Sequence, residues 1–416
     1  MKLKLKRFFK KIGRFISNAV FLLYRKTFMA SRTRNVILIV ILFSIGFGFY
    51  SHFYWEDTFK QFIGTFAGVA TTIFIGSMAH LISLAFEDRN KITSDYELIK
   101  KMYSAEQLTQ TVNFLDGTSL SFVYKGVPTI IKEIKVVDDN KKMYLPTEVM
   151  SSNFTKLFNA HRGAYKKNVF TVRVDDVYDD EASAITLYTS RSTYFNHLIS
   201  NRVMDYPFAK SLTLRSLYEP GPDITPLKHS VFSNHLGIIG IIETADNFYI
   251  LNKRSKTGST SKDFLVSPIA FGLTAGVKEN VNEAYITNKV IEKTNERLKK
   301  TSTDTINHIR KIIPVGYGRD IYEAGKPHLF YLVKINLTKD EYLELFYHSP
   351  FNKHTIDFNH KAFAIKANDF GYHDGFFHMT HHNHKGIKKT HLMKAETNLI
   401  MNIKCLIDLG LFKTNE

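Results

Sequence analysis

The stretch GIIGIIETADNFYILNKRS, Gly237 to Ser255, places two apolar runs on either side of Ala245-Asp246-Asn247. Ile, Tyr and Phe favour strands, and Asp-Asn favours a tight reversal, so the stretch predicts a β-hairpin ending on the basic pair Lys253-Arg254. The pattern continues downstream. KDFLVSPIAFGL reads as another strand-like run, and VNEAYITNKVIEKTNERLKK as a helix with Ala284, Val290 and Ile291 among its apolar positions. HIRKIIPVGYGRDIYEAGKPHLFYLVKINL then predicts a strand, a Gly-rich turn and an apolar strand, and HLMKAETNLIMNIKCLIDLGLF a helix with a broad apolar face. Sheet, helix, sheet, helix in this order indicates an α/β sandwich.

Upstream, YEPGPDITP reads as a loop, and SLSFVYKG, PTIIKEIKVV and NVFTVRVDDVY as short strands separated by Gly, Asp and Asn turns. STYFNHLISNRVM has a helical pattern, and the charged run from Glu87 to Gln110 reads as a connector helix. Further towards the N-terminus, Val36 to Trp55 holds twenty residues without Lys, Arg, Asp or Glu, and Gln61 to Phe86 is again free of formal charge. A helix of about 20 residues crosses a hydrocarbon core of ~30 Å, so two membrane spans are expected. Their length, and the absence of a cleavage site before a soluble region, argue against a signal peptide.

The 416 residues carry a formal charge of +17 and are 44% hydrophobic, which excludes a disordered chain and points to an anionic partner. Eleven basic residues and no acid lie in Met1 to Asn35. By the positive-inside rule, this arm and the acidic Glu56-Asp57 between the spans place both termini in the cytoplasm. The arm has the spacing of an amphipathic helix on an anionic leaflet, and equally the composition of a basic tail that fixes topology. Gly64 and Gly68 form a small-xxx-small pair that suits close helix contact, either inside the hairpin or between chains. The lone Cys405 excludes an intramolecular disulfide.

The run from about His235 to Phe412, with its entry hairpin, central helix and later strand pair, resembles a Nudix domain. Joined to two membrane spans, it is similar to the transmembrane Nudix-like effectors of bacterial anti-phage systems that respond to cyclic oligonucleotides. The expected fold is thus a membrane protein with two N-terminal helices, an α+β segment and a cytoplasmic α/β Nudix-like sandwich. Its parts are a basic arm (1–34), a membrane hairpin (35–87), a connector helix with an α+β region (88–225) and the Nudix-like domain (226–416).

A hydrolytic Nudix box needs carboxylates on one helix face to hold divalent cations. With Glu283 on the first Glu, Val277 stands where Gly belongs and Ile291 where Arg belongs. Glu292 and Glu296 match two of three carboxylates, while Asn295 replaces the third. Lysines surround the pair, so a solvated charged helix and a fold kept for binding are expected, with no catalysis and no cofactor. Candidate ligand-binding residues are Lys253 and Arg254 at the hairpin end, Arg319 for a phosphate and Tyr317 for stacking on a base, with Gly316 and Gly318 allowing close approach. In FHMTHHNHKGIKKTH the histidines lack neighbouring Cys or carboxylate ligands, so a turn before the terminal helix is expected rather than a metal site.

What the resemblance implies is a bacterial inner-membrane, two-pass effector. It senses a cyclic oligonucleotide, self-associates as a homo-oligomer, and disrupts membrane lipid in abortive anti-phage defence, without a DNA or RNA partner. The alternative is a membrane-tethered Nudix hydrolase of a nucleoside diphosphate derivative, which requires Glu292 and Glu296 to bind Mg²⁺.

Overall fold

All seven residues of Gly237–Glu243 are buried, the mark of a strand covered on both faces. The computed structural model describes Gly68 and residues 96–152, 168–180, 183–208, 212–254, 264–298, 307–349, 361–382 and 388–413. Apart from Gly68, these belong to one unit of the chain.

In chain order, helix α1 (Tyr96–Met102) precedes the hairpin β1 (Thr109–Asn113) and β2 (Ser119–Val123), and then β3 (Lys125–Pro128). A three-stranded sheet follows, ordered β4-β6-β5, from β4 (Glu133–Met143), β5 (Phe170–Asp180) and β6 (Ala184–Thr193), with α2 (Glu148–Ser152) between its first two strands. Helices α3 (Tyr194–Ile199) and α4 (Leu214–Tyr218) lead to β7 (Gly237–Glu243), β8 (Tyr249–Lys253), β9 (Leu265–Val266) and β10 (Ile269–Gly272). Next come α5 (Glu283–Glu296), β11 (Ile309–Asp320), β12 (Lys326–Ile335), α6 (Lys339–His348) and β13 (Lys361–Ile365). Last are a meander of β14 (Phe370–His373), β15 (Phe376–His382) and β16 (Lys388–Met393), and helix α7 (Thr397–Asp408).

The main sheet runs β13-β8-β7-β12-β11-β3, with β7 and β12 parallel at its centre and the other pairings antiparallel. Successive side chains of a strand point to opposite faces. Ile238, Ile242, Leu329, Tyr331 and Val333 therefore pack with Ile286 and Val290 of α5 and with Tyr342, Leu343 and Phe346 of α6. Ile239, Ile241, Phe330 and Leu332 pack on the other face with Leu399, Ile403 and Leu406 of α7. Burying each such side chain contributes roughly 1.5–3 kcal/mol, which makes the two faces of this sheet the main source of stability.

The entry hairpin forms as the sequence predicts. Asn247 takes φ +60°, the Thr244 hydroxyl accepts from the Phe248 N–H at 2.9 Å, and Asp246 accepts from the Lys339 N–H at 2.8 Å, tying the turn to the start of α6. Asn282 caps helix α5, its side chain accepting from the Tyr285 N–H at 2.8 Å.

Several expectations are corrected. β11 runs unbroken through Gly316-Tyr317-Gly318 to Asp320, and the reversal comes later, at Ala324 and Gly325 with φ +57° and +68°. The two earlier glycines are strand residues under close neighbours: a Cβ on Gly316 would lie 2.9 Å from Cys405 Sγ, and one on Gly318 2.7 Å from the Tyr124 ring. Of the expected connector helix, residues 87–95 lie outside the described residues, Tyr96–Met102 is helical, and strand pairing begins at Thr109. In the His-rich segment, Phe376–His382 and Lys388–Met393 pair as β15 and β16, and the residues between them, 383–387, lie outside the described residues.

Among the described residues no helix is long and apolar enough to cross a membrane. The longest, α5, has 14 residues and a charged face, about 21 Å in length against the ~30 Å of a hydrocarbon core. The expected membrane-protein class and two-pass inner-membrane placement are therefore corrected to a sheet-rich, mixed α/β fold. Both predicted spans and the basic arm lie outside the described residues, save for Gly68, which is helical.

Candidate functional site

β7 changes its edge partner along its length. Ile242 and Glu243 pair with β8, whereas Gly237 to Gly240 pair with β10. Over the β10-paired half lies a cavity of about 190 Å³, lined by residues that include His197, Arg202, His235, Arg254, Glu323, Lys326 and His328. Glycine makes room for its imidazoles. Gly272 and Gly237 are register partners, and a Cβ on Gly272 would fall 2.8 Å from His235 Nε2, while one on Gly237 would fall 2.5 Å from His328 Nε2.

The three histidines come from α3, the approach to β7, and β12, and all are buried. The His197 and His235 rings lie 3.9 Å apart, with Tyr194 stacked on His235 at 6.4 Å. Burial, reinforced by the nearby Lys326 charge, drives all three well below the usual imidazole range, with His197 adding to the effect on His235, so they are neutral near pH 7. Nδ1 of His197 and of His235 makes no hydrogen bond among the described residues.

Glu323 anchors the cations. It pairs with Arg202 and accepts from Lys326 Nζ at 2.8 Å, and the Asn201 side chain donates to its carbonyl at 2.9 Å. Burial alone would raise its pKa, but Lys326 and Arg202 outweigh burial and hold it well below the carboxylate range. Arg254 pairs with Glu396 at 3.4 Å. Glu396 is the N-cap of α7, so the positive end of that helix dipole also faces the cavity. Behind the lining, Asp320 is pushed up to about 7 by burial and by Glu323.

Among the described residues, three cations, two carboxylates and three neutral imidazoles thus line the cavity, a surplus of one positive charge. Such a site offers donors to an anion and a fit to a single negative charge rather than several. Among the described residues no three His, Cys, Asp or Glu side chains are placed to hold a metal ion.

Of the residues singled out from the sequence, only Arg254 lines this cavity. Lys253 ends β8 opposite Leu265 and Lys361, where its charge helps to depress the His391 pKa after burial and the lysines Lys389 and Lys361. Arg319 is 5% exposed and donates from Nε to the Gly325 carbonyl at 2.9 Å, bracing the β11–β12 turn instead of meeting a phosphate. The Tyr317 ring packs against the core, with Arg319 and with Asp176 and Asp179 of β5 as the charges acting on its buried hydroxyl, and it does not line the cavity. Gly64 lies outside the described residues. Glu292 and Glu296 sit on the solvent face of α5, where Lys289 and Lys293 each pair with them at 2.7 Å. His381 accepts from the Ala364 N–H at 3.1 Å and lies edge-on to Phe363, a packing role.

The site is therefore built mostly from residues that the sequence did not single out: His197, Arg202, His235, Glu323, Lys326 and His328. One signal was present. Lys326 and His328 open KPHLFYLVKI, a strand in which the polar residues before Lys334 have no period-2 reason to be buried. No protein-family model and no curated protein sequence matches this chain.

Proposed function

We propose that this protein is a sensor whose cavity takes a phosphodiester of a cyclic oligonucleotide and holds it without cleaving it. The observation that carries this reading is the surplus of a single positive charge among buried, neutral imidazoles. A phosphodiester bears one negative charge, whereas a nucleoside diphosphate bears more and would leave charge uncompensated in a buried site. A cavity of about 190 Å³ is smaller than the ~300–1,000 Å³ of a whole-ligand pocket, so it takes the phosphodiester and the groups next to it, with the rest of a cyclic ligand lying across its mouth. The resemblance to Nudix-like sensors adds the ligand class and the expectation of self-association, which requires that the ligand favour the assembled state.

Competition measurements on the full-length protein test the charge argument. Cyclic di- and trinucleotides are expected to displace a fluorescent cyclic dinucleotide, while ADP-ribose and nucleoside diphosphates do so poorly and are not turned over in Mg²⁺. Mg²⁺-dependent turnover of a diphosphate, or tighter binding of diphosphates than of diesters, would replace this reading with the hydrolase alternative.

A further inference from the structure

We infer that Nε2 of His328 is a fixed hydrogen-bond acceptor in the cavity wall, so that the ligand presents a donor, a ribose hydroxyl or an exocyclic amine, beside its anionic group. This rests on the phosphodiester reading above.

The assignment comes from a chain of hydrogen bonds with one polarity. With Asp320 ionised, above its raised pKa of about 7, Asn398 Nδ2 donates to Asp320 Oδ2 at 3.0 Å, which turns Asn398 Oδ1 towards Tyr124. The Tyr124 hydroxyl donates to that oxygen at 2.8 Å. Its single proton is then committed, so towards His328 Nδ1, 3.1 Å away, it can only accept. Nδ1 therefore carries the imidazole proton, and a neutral ring leaves the lone pair on Nε2.

The neutral state follows from burial and from the neighbouring Lys326 charge. His328 lines the cavity, with its Cδ2–Nε2 edge packed against the bare Cα of Gly237. The two carboxylates on the wall, Glu323 and Glu396, are held by Arg202, Lys326 and Arg254. An acceptor of fixed direction in a buried wall penalises a ligand that offers it no proton, which is how a polar site rejects an analogue lacking one group. The cations set affinity for the anion. His328 sets which nucleotide is accepted.

The test uses full-length protein and cyclic di-AMP and cyclic di-GMP, together with their 2′-deoxy counterparts and cyclic di-IMP, which lacks the exocyclic amine of either base. The tightest probe is expected to weaken about tenfold when its hydroxyl or its amine is removed, and the arm that responds identifies the donor. Tyr124→Phe frees His328 to change tautomer and is expected to reduce that discrimination to less than about threefold. His328→Gln serves the same purpose if Tyr124→Phe does not fold. Equal binding of all probes by the unaltered protein would overturn the inference. If no probe binds, the phosphodiester reading falls. Nitrogen-15 spectra of the imidazoles then decide the tautomer independently, and a proton on Nε2 would overturn the assignment.

Discussion

Gly237 and His328 stand opposite each other in the parallel register of β7 and β12, and a Cβ on Gly237 would come within 2.5 Å of His328 Nε2. Gly237→Ala must therefore displace the imidazole or the strand. Overpacking of this kind costs about 1–3 kcal/mol. The expected outcome is a folded protein with a lower denaturant midpoint and no cyclic dinucleotide binding; unchanged binding would show that the ligand does not depend on the position of His328.

Acid should destabilise the protein from about pH 6.5, the imidazole value from which the three buried histidines are depressed. Below it, the unfolded chain takes up protons at His197, His235 and His328 that the folded chain refuses, so stability present above pH 6.5 is lost as pH falls. Asp320, raised to about 7 in the fold, works in the opposite direction: the folded chain holds its proton between pH 4 and 7, where the unfolded chain has released it. Over these four groups the balance is two protons, or ~3 kcal/mol per pH unit between pH 6 and 5, and the depressed His391 acts in the same direction as the other histidines. Asp320→Asn removes the opposing proton and should steepen the fall to ~4 kcal/mol per unit. Urea unfolding at pH 7, 6 and 5 measures both slopes, and a flat profile would mean that the histidines are not buried in neutral form.

Arg191 has no exposed side chain and grips Asp138 with two hydrogen bonds of 2.7 Å, while also donating to the Gly276 and Glu279 carbonyls. Asp138 in turn accepts from the Val281 N–H at 2.8 Å, so the pair fastens the loop before α5 to β4 and β6. Arg191→Met leaves a buried carboxylate unpaired and is expected to cost about 3–5 kcal/mol. The double replacement Arg191→Met with Asp138→Leu should recover part of that loss in a thermal melt. Additive losses would argue against direct coupling.

Glu292→Gln with Glu296→Gln removes only exposed helix ion pairs, each worth about 0.3–0.5 kcal/mol. Stability should change by less than about 1 kcal/mol, and nucleotide binding not at all. A large loss of binding would place the ligand on α5 and not over β7.

How much of this was legible in the sequence depended on whether the signal was local. Ile-rich β7, the Asp246-Asn247 reversal and the apolar face of α7 announce themselves through local side-chain pattern and formed where expected, whereas in α5 Val290 is buried but Ala284 is exposed, and the buried face also takes Ile286, Thr294 and Asn295. Gly316 and Gly318 misled because a glycine needed for close strand packing looks the same in sequence as one needed for a turn, while the true reversal falls on Ala324, a residue without turn preference. The cavity was hidden for a different reason. His197, His235 and His328 lie on separate elements and meet only because β10 replaces β8 beside β7. Arg254 was visible, being the end of a hairpin. Arg319 and Tyr317 looked equivalent to it, but strand alternation and the β11–β12 turn direct them elsewhere.

Calorimetric titration of the full-length protein with cyclic di- and trinucleotides tests the central claim most directly, with Lys326→Gln and Arg254→Gln as controls. Saturable one-site binding by at least one member is expected, weakened about 10- to 100-fold by either substitution, since each removes a charge-assisted contact of about 1.5–3 kcal/mol. No binding by any member, or binding that both substitutions leave intact, would contradict the assignment of the cavity over β7 as a nucleotide sensor.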